Sequence, residues 1–285
     1  MRLALLICVT MLAFAANSVL TRAAVEGGLM DPQGFALVRV LAGALALVAL
    51  TAWRAGGVPW PGRRNLPGAL SLAVYMIGFS LAYATLDAGL GALILFGVVQ
   101  ITIFLWSAAT GVAPTVRQIA GALVAFGGLA LVLWPGAGGQ ADPVGAGLMV
   151  AAGAGWAVYT IAGRGAADPL AATALNFLLC LPMVAALVLW QGMSGSGAGV
   201  LLAVLSGAVT SGMGYALWYH IVPRIAQTTS AVVQLSVPVL AILGGALWLG
   251  ETVTGTVLLS AALVLGGIAW ALTGRPQRTS TSSGS

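Results

Sequence analysis

The chain has no lysine, a single histidine, two cysteines and six acidic residues among 285. Each scarcity excludes something. Cys8 and Cys180 both lie in apolar runs, so neither a disulfide scaffold nor a CxxC metal pair can form. With His220 as the sole histidine there is no Ser/His/Asp constellation and no metal set. Phosphate loops, nucleophile elbows and HExxH motifs are missing too. The expectation is a protein that is not an enzyme and needs no cofactor and no metal. Charge is the most telling shortage. Only 6% of residues are charged and 60% are hydrophobic, against about 25% charged in a soluble domain. Too little charge remains to cover a wet surface, so the surface must face lipid. The net charge of +5 then bears on orientation in a bilayer, not on nucleic acid.

What is present is apolar sequence in helix-length pieces. A spanning helix needs about 20 largely apolar residues. Ten stretches qualify: Leu3–Ala24, Pro32–Trp53, Leu66–Leu86, Gly89–Ala109, Val116–Trp134, Val144–Gly163, Pro169–Trp190, Ala198–Ile221, Gln227–Leu249 and Gly255–Leu272. Breakers mark the joints: Asp31-Pro32, Trp60-Pro61-Gly62, Pro114, Trp134-Pro135-Gly136, Asp142-Pro143, Asp168-Pro169 and Pro223. Ten crossings from a cytoplasmic N-terminus place Arg2, Arg54, Arg63, Arg64, Arg117, Arg164, Arg224, Arg275 and Arg278 inside. Glu26, Asp31, Asp87, Asp142 and Glu251 fall outside, with Asp168 the exception. Positive residues belong inside, so both termini are expected in the cytoplasm. A rival reading treats Arg2, the first apolar run and Ala13-Phe14-Ala15 as a cleaved signal peptide. It would leave an odd helix count and spoil the repeat described next.

The two halves echo each other. An offset of 139 superposes Gly266-Gly267 on Gly127-Gly128, Gly250 on Gly111, Thr254 on Thr115 and Trp218 on Phe79. An offset of 142 sets Phe14-Ala-Ala-Asn17-Ser18 on Trp156-Ala-Val-Tyr159-Thr160, and Arg22 on Arg164. Alignment from Pro32 and Pro169 sets Arg39 against Asn176. Five helices per copy is odd, so the second copy enters the membrane upside down. The expected fold is all-α and integral to the membrane: residues 1–136 form one five-helix repeat and 137–274 its inverted mate, with a disordered tail at 275–285. Inverted repeats are the usual frame of alternating-access carriers, with the cargo site near the midplane.

Phe14–Arg22 and Trp156–Arg164 resemble the helix-1 motif of the EamA family of the drug/metabolite transporter superfamily. Arg39 stands where that family carries an arginine in helix 2. Pro238, Leu249-Gly250-Glu251 and Gly255…Gly266-Gly267 look like its helix 9–10 signature. The resemblance covers residues 1–274. The first half departs from it, with Val99 for the expected proline and Val112 for the expected glutamate. Within the family the chain is most similar to amino-acid exporters of the YddG aromatic type. The resemblance implies a multi-pass carrier of a small-molecule cargo. High Ala, Gly and Arg usage points to a bacterial source and hence an inner membrane. The Gly-rich faces of helices 5 and 10 (Gly121, Gly127, Gly128, Gly266, Gly267) allow packing between the repeats in a monomer, or a weak homodimer.

Helix 3 carries Ser71, Tyr75, Phe79, Tyr83 and Asp87 at steps of four, a row that drifts slowly round one face. Tyr75, Phe79 and Tyr83 are candidate cavity-lining residues, with helix packing as the alternative. Trp218, the counterpart of Phe79, joins them. Asn17 on helix 1, Trp156 and Tyr159 on helix 6, and Gln234 on helix 9 are further candidates. Side-chain amides at membrane depth are costly unless bonded, and bonds between helices would explain them equally. Gln100 and Gln227 share that ambiguity. Arg39 either meets a cargo carboxylate or, as a structural element, snorkels outward or bonds to carbonyls. His220 could titrate near neutral pH or simply pack. Glu251 reads as the cap of helix 10. Pro182 and Pro238 are expected hinges.

No acid lies in the middle of a helix. That disfavours proton antiport and lipophilic-cation transport, both of which need one. Sugar-nucleotide exchange would need more cations than Arg39 and Arg22 provide. What remains is a small, mainly apolar, zwitterionic or neutral cargo. Taken with the resemblance, this implies export of such metabolites, aromatic or other neutral amino acids among them, without ion coupling. Alternatives are efflux of drugs or other metabolites and, from another class, a channel.

Overall fold

A computed structural model describes residues 2–57, 62–111, 115–133, 142–163, 166–221, 224–225 and 233–272. Trp60, Pro61, Val112, Pro114, Trp134, Pro135, Gly136, Arg164, Pro223, Gln227, Arg275, Arg278 and the tail lie outside them. Among the described residues there are ten helices: α1 (Arg2–Val25), α2 (Pro32–Ala55), α3 (Leu66–Ala82), α4 (Ala88–Ala109), α5 (Val116–Leu133), α6 (Pro143–Gly163), α7 (Pro169–Gln191), α8 (Gly197–Ile221), α9 (Ser236–Leu249) and α10 (Gly255–Leu272). Seven are long and apolar enough to cross a membrane; α3, α5 and α9 are shorter. The stretch expected as a helix to Leu86 stops at Ala82, because residues 83–86 turn to meet α4.

The helix starts follow simple chemistry. Asp31 and Asp168 accept backbone N–H groups of α2 and α7 ahead of Pro32 and Pro169, whose missing N–H costs nothing at that position. Asp142 does the same for Gly145 at the start of α6. Glu251 behaves otherwise. It accepts the N–H of Ala88 on α4, and Thr254 caps α10 by accepting from Val257. The carboxylate therefore joins two distant helix ends instead of capping its own successor.

The main packing pairs each join one of α1–α5 to one of α6–α10: α5 with α10, α3 with α6 and α7, α2 with α7 and α8, α4 with α6 and α9, and α1 with α8 and α9. Exchanging each helix n for n+5 maps this set onto itself. Small residues set the closest approaches. A Cβ on Gly121 would stand 2.5 Å from the Gly267 carbonyl oxygen, and one on Gly267 2.6 Å from that of Gly121. Gly127 and Gly266, in contrast, meet nothing within 4 Å. Backbones that approach this closely gain dispersion contact, which drives helix association in lipid.

Two helices change pitch. Leu205–Met213 of α8 and Gly245–Leu249 of α9 are π-helical. α4, aligned with α9 by sequence, is one continuous α-helix. Pro182 lies inside α7. Pro238 sits in the first turn of α9, just after the chain breaks pitch at Leu235. A proline ring clashes with the carbonyl four residues back, here that of Gln234.

Candidate functional site

At the centre of the bundle, Phe14, Asn17 and Ser18 of α1, Tyr75 and Phe79 of α3, Leu95 and Phe96 of α4, Trp156 of α6 and Tyr215 of α8 line a cavity of about 20 Å³. A single water needs roughly 10–15 Å³, so the walls are nearly in contact. Ring follows ring through this region. Tyr75 lies 5.3 Å from Phe79 and 4.9 Å from Trp156, centroid to centroid. Trp156 is 5.1 Å from Tyr215, which is 5.9 Å from Phe14. Tilted and edge-to-face pairs of this kind are favoured by the ring quadrupoles.

Behind Tyr75 and Phe79 lies Arg39, fully buried. It does not snorkel, and its bonds go to side chains, not to carbonyls. Its Nε donates to Ser211 Oγ at 3.2 Å and its Nη2 to the Tyr75 hydroxyl at 2.9 Å. The guanidinium carbon is 4.7 Å from the Phe79 centroid and 5.3 Å from that of Tyr75. Its Nη1 has no hydrogen-bond partner. Cation–π contacts offset a small part of the burial, about 0.5–2 kcal/mol, and leave the net charge in place.

No acidic side chain reaches Arg39. All six acids lie among the described residues and outside the helices. Glu26 is exposed, while Asp31, Asp142 and Asp168 cap helices. Asp87 and Glu251 pair with Arg22.

Asn17 extends the network. Its Nδ2 donates to the Tyr75 hydroxyl at 3.5 Å, and its Oδ1 accepts from Ser206 at 2.5 Å and Thr210 at 3.2 Å. The π-helical stretch of α8 explains how Ser206, Thr210 and Ser211 serve one site, since the wider turn shifts successive side chains round the axis. Such stretches recur at functional sites. Gly207 lets this stretch lie against α2, where any Cβ would collide with the Arg39 carbonyl oxygen.

The other candidates are placed differently. Tyr83 is buried but donates to the Ala88 carbonyl at 3.2 Å. Tyr159 is buried and donates to Thr173 at 3.0 Å. Trp218 is not among the residues lining the cavity, and its ring lies 6.0 Å from that of Phe14. Gln234 is half-buried, off the cavity wall. His220 is exposed at the end of α8. Sequence reasoning missed Tyr215, which is 4% exposed with an unpartnered hydroxyl. Its one signal was the four-residue spacing to Ser211. The serines and threonine of α8 were missed as well.

A second polar cluster closes one end of the bundle. Arg22 lies 3.3 Å from Asp87 and 3.5 Å from Glu251, and donates to the carbonyls of Tyr83 and Ala84. It ties together the ends of α1, α4 and α9. Burial, with Asp87 adding repulsion, raises the Glu251 carboxyl above its usual range despite the Ala88 N–H and Arg22. The opposite end holds the Arg54–Asp168 pair.

The EamA-like transporter family matches residues 143–273. The chain is 45% identical over 277 residues to "Uncharacterized protein PA1977" of Pseudomonas aeruginosa, covering 96% of both chains. A crystal structure 20% identical superposes with a TM-score of 0.65, covering 93% of this chain and 98% of that one. That likeness establishes the fold alone. An EamA-like domain in a bundle with seven helices long and apolar enough to cross a membrane points to a membrane transporter rather than an enzyme. The chain belongs to the EamA-like transporter family of multi-pass membrane proteins.

Proposed function

We propose that the protein exports small, mainly apolar metabolites, neutral and aromatic amino acids foremost, across a bacterial inner membrane by alternating access. Ten helices cross the bilayer as two inverted repeats, 1–136 and 137–274, with both termini cytoplasmic. The observation that carries this reading is the aromatic cavity, whose walls come from α1, α3 and α4 of one half and α6 and α8 of the other. The self-mapping set of helix pairs supports it, because two copies that can exchange conformations must share their contacts. Tyr75, Phe79, Trp156 and Asn17 contact the cargo. Arg39 holds Tyr75 in place, Tyr83 packs on Phe79 and Tyr159 on Trp156 behind the wall, and Trp218 backs Phe14; His220 and Gln234 stand away from it. Pro182 within α7 and the pitch break before Pro238 in α9 are the hinges at which these helices bend. The nearly closed cavity corresponds to an occluded state.

The test is efflux of labelled phenylalanine from proteoliposomes at symmetric pH. Saturable efflux with counter-exchange, reduced at least tenfold in Trp156→Ala, is expected. Flux that stays at zero until a proton gradient is imposed would refute uncoupled export. Flux that never saturates would indicate a channel.

A further inference from the structure

The centre of this protein contains a positive charge for which the chain has no negative one. Arg39 is fully buried, and every acidic side chain is engaged at a helix end or exposed. Buried charges in proteins are paired, so the partner comes from elsewhere. Two donors near the cavity are also unspent: Arg39 Nη1 and the Tyr215 hydroxyl. Tyr75 connects them. Its hydroxyl accepts from Arg39, and Trp156 lies 4.9 Å from Tyr75 and 5.1 Å from Tyr215.

We infer that the missing counter-charge is a carboxylate on the cargo, bound by Arg39 and Tyr215, and that the site does not require an ammonium group. This deepens the carrier reading above and rests on it. Tyr75 and Ser211 act as placeholders, satisfying two guanidinium nitrogens while the cavity is closed. As the walls separate, the carboxylate displaces the Tyr75 hydroxyl and takes both Nη groups, a geometry that suits a planar guanidinium. The apolar part of the cargo lies against Phe14, Phe79 and Trp156. For an ammonium the cavity offers ring faces but no counter-charge. Asn17 Oδ1 already accepts from Ser206 and Thr210, and no carboxylate is near. The favoured class is therefore apolar monocarboxylates, amino acids included but not exclusively.

The experiment uses the full chain in two formats. In proteoliposomes, labelled phenylalanine counterflow is competed with phenylpropionate, which lacks the amine, and with phenylalaninamide, which lacks the carboxylate. Phenylpropionate should compete within about threefold of phenylalanine, and the amide at least tenfold more weakly. Arg39→Gln and Tyr215→Phe should each shrink that tenfold difference, with Tyr215→Phe the milder. Equal competition by acid and amide overturns the inference while leaving the carrier reading intact. Should phenylalanine show no saturable flux, the carrier reading for amino acids fails, and detergent-solubilised protein still decides the inference. Phenylpropionate should raise the melting temperature of wild type and not of Arg39→Gln. A rise produced by chloride alone, or by neither anion, overturns it, the former assigning the counter-charge to a free ion.

Discussion

Arg22 and Arg39 show two ways of keeping a cation in an apolar bundle. Arg22, with an 11% exposed side chain, has two carboxylates and two carbonyls. Arg39, fully buried, has two hydroxyls, two ring faces and one bare nitrogen. The first arrangement is a structural tie between helix ends. The second leaves free energy unspent at the centre, which is useful only where a ligand can claim it. Asn176, aligned with Arg39, is also buried but neutral, so the charge belongs to one half alone.

The contrast should break most visibly in stability. Arg22→Ala strands the Glu251 carboxylate in a largely buried place, and losing one partner of such a pair costs about 3 kcal/mol. Chemical denaturation in detergent checks it. Gly207→Ala should come next, at roughly 2 kcal/mol from overpacking, since α8 must move off the Arg39 backbone. Gly147→Ala, where a Cβ meets nothing within 4 Å, is its control. Arg39→Met should change stability by less than about 1 kcal/mol, because removing an uncompensated buried charge offsets the lost hydrogen bonds. A loss as large as that of Arg22→Ala would erase the contrast.

The smallest effect is a pH slope. Glu251 is raised in the folded protein, so the folded state holds its proton more tightly than the unfolded chain. Stability then falls as pH rises from about 4.3 through the raised value, and levels off above it. At Asp168 burial acts in the same direction, but the Ala171 N–H, Arg54 and the Leu170 N–H outweigh it and lower the carboxyl. Its contribution is present above the ordinary aspartate range and is lost as pH falls through the lowered value. Melting temperature against pH should show Glu251→Gln flattening the first slope and Asp168→Asn the second.

Much of the fold was legible in advance. Asp-Pro pairs marked helix starts because an acceptor and a missing donor suit that position. Tyr75, Phe79, Asn17 and Arg39 stood out as polar or aromatic groups in lipid-length helices. The α8 hydroxyls did not, because a π-helical stretch has no reliable signature in residue order. Tyr215 did not, because residue order does not separate a ring that faces the cavity from neighbours such as Trp218 and Tyr219. Glu251 looked like a local cap because its partners, Ala88 and Arg22, are far away in the chain.

Sequence alone determined the solvent and the helices: at 6% charge the surface has to be apolar, and in lipid each apolar segment satisfies its own backbone by coiling. It also determined that Arg39 could find few carboxylates, since only six exist. Which of them it would meet was decided by the tertiary structure. Packing α1 and α9 against α4 brought Asp87 and Glu251 to Arg22. Packing α2 against α8 surrounded Arg39 with hydroxyls and rings instead, because ion pairing acts through space and the order of residues along a chain does not state who will be neighbours.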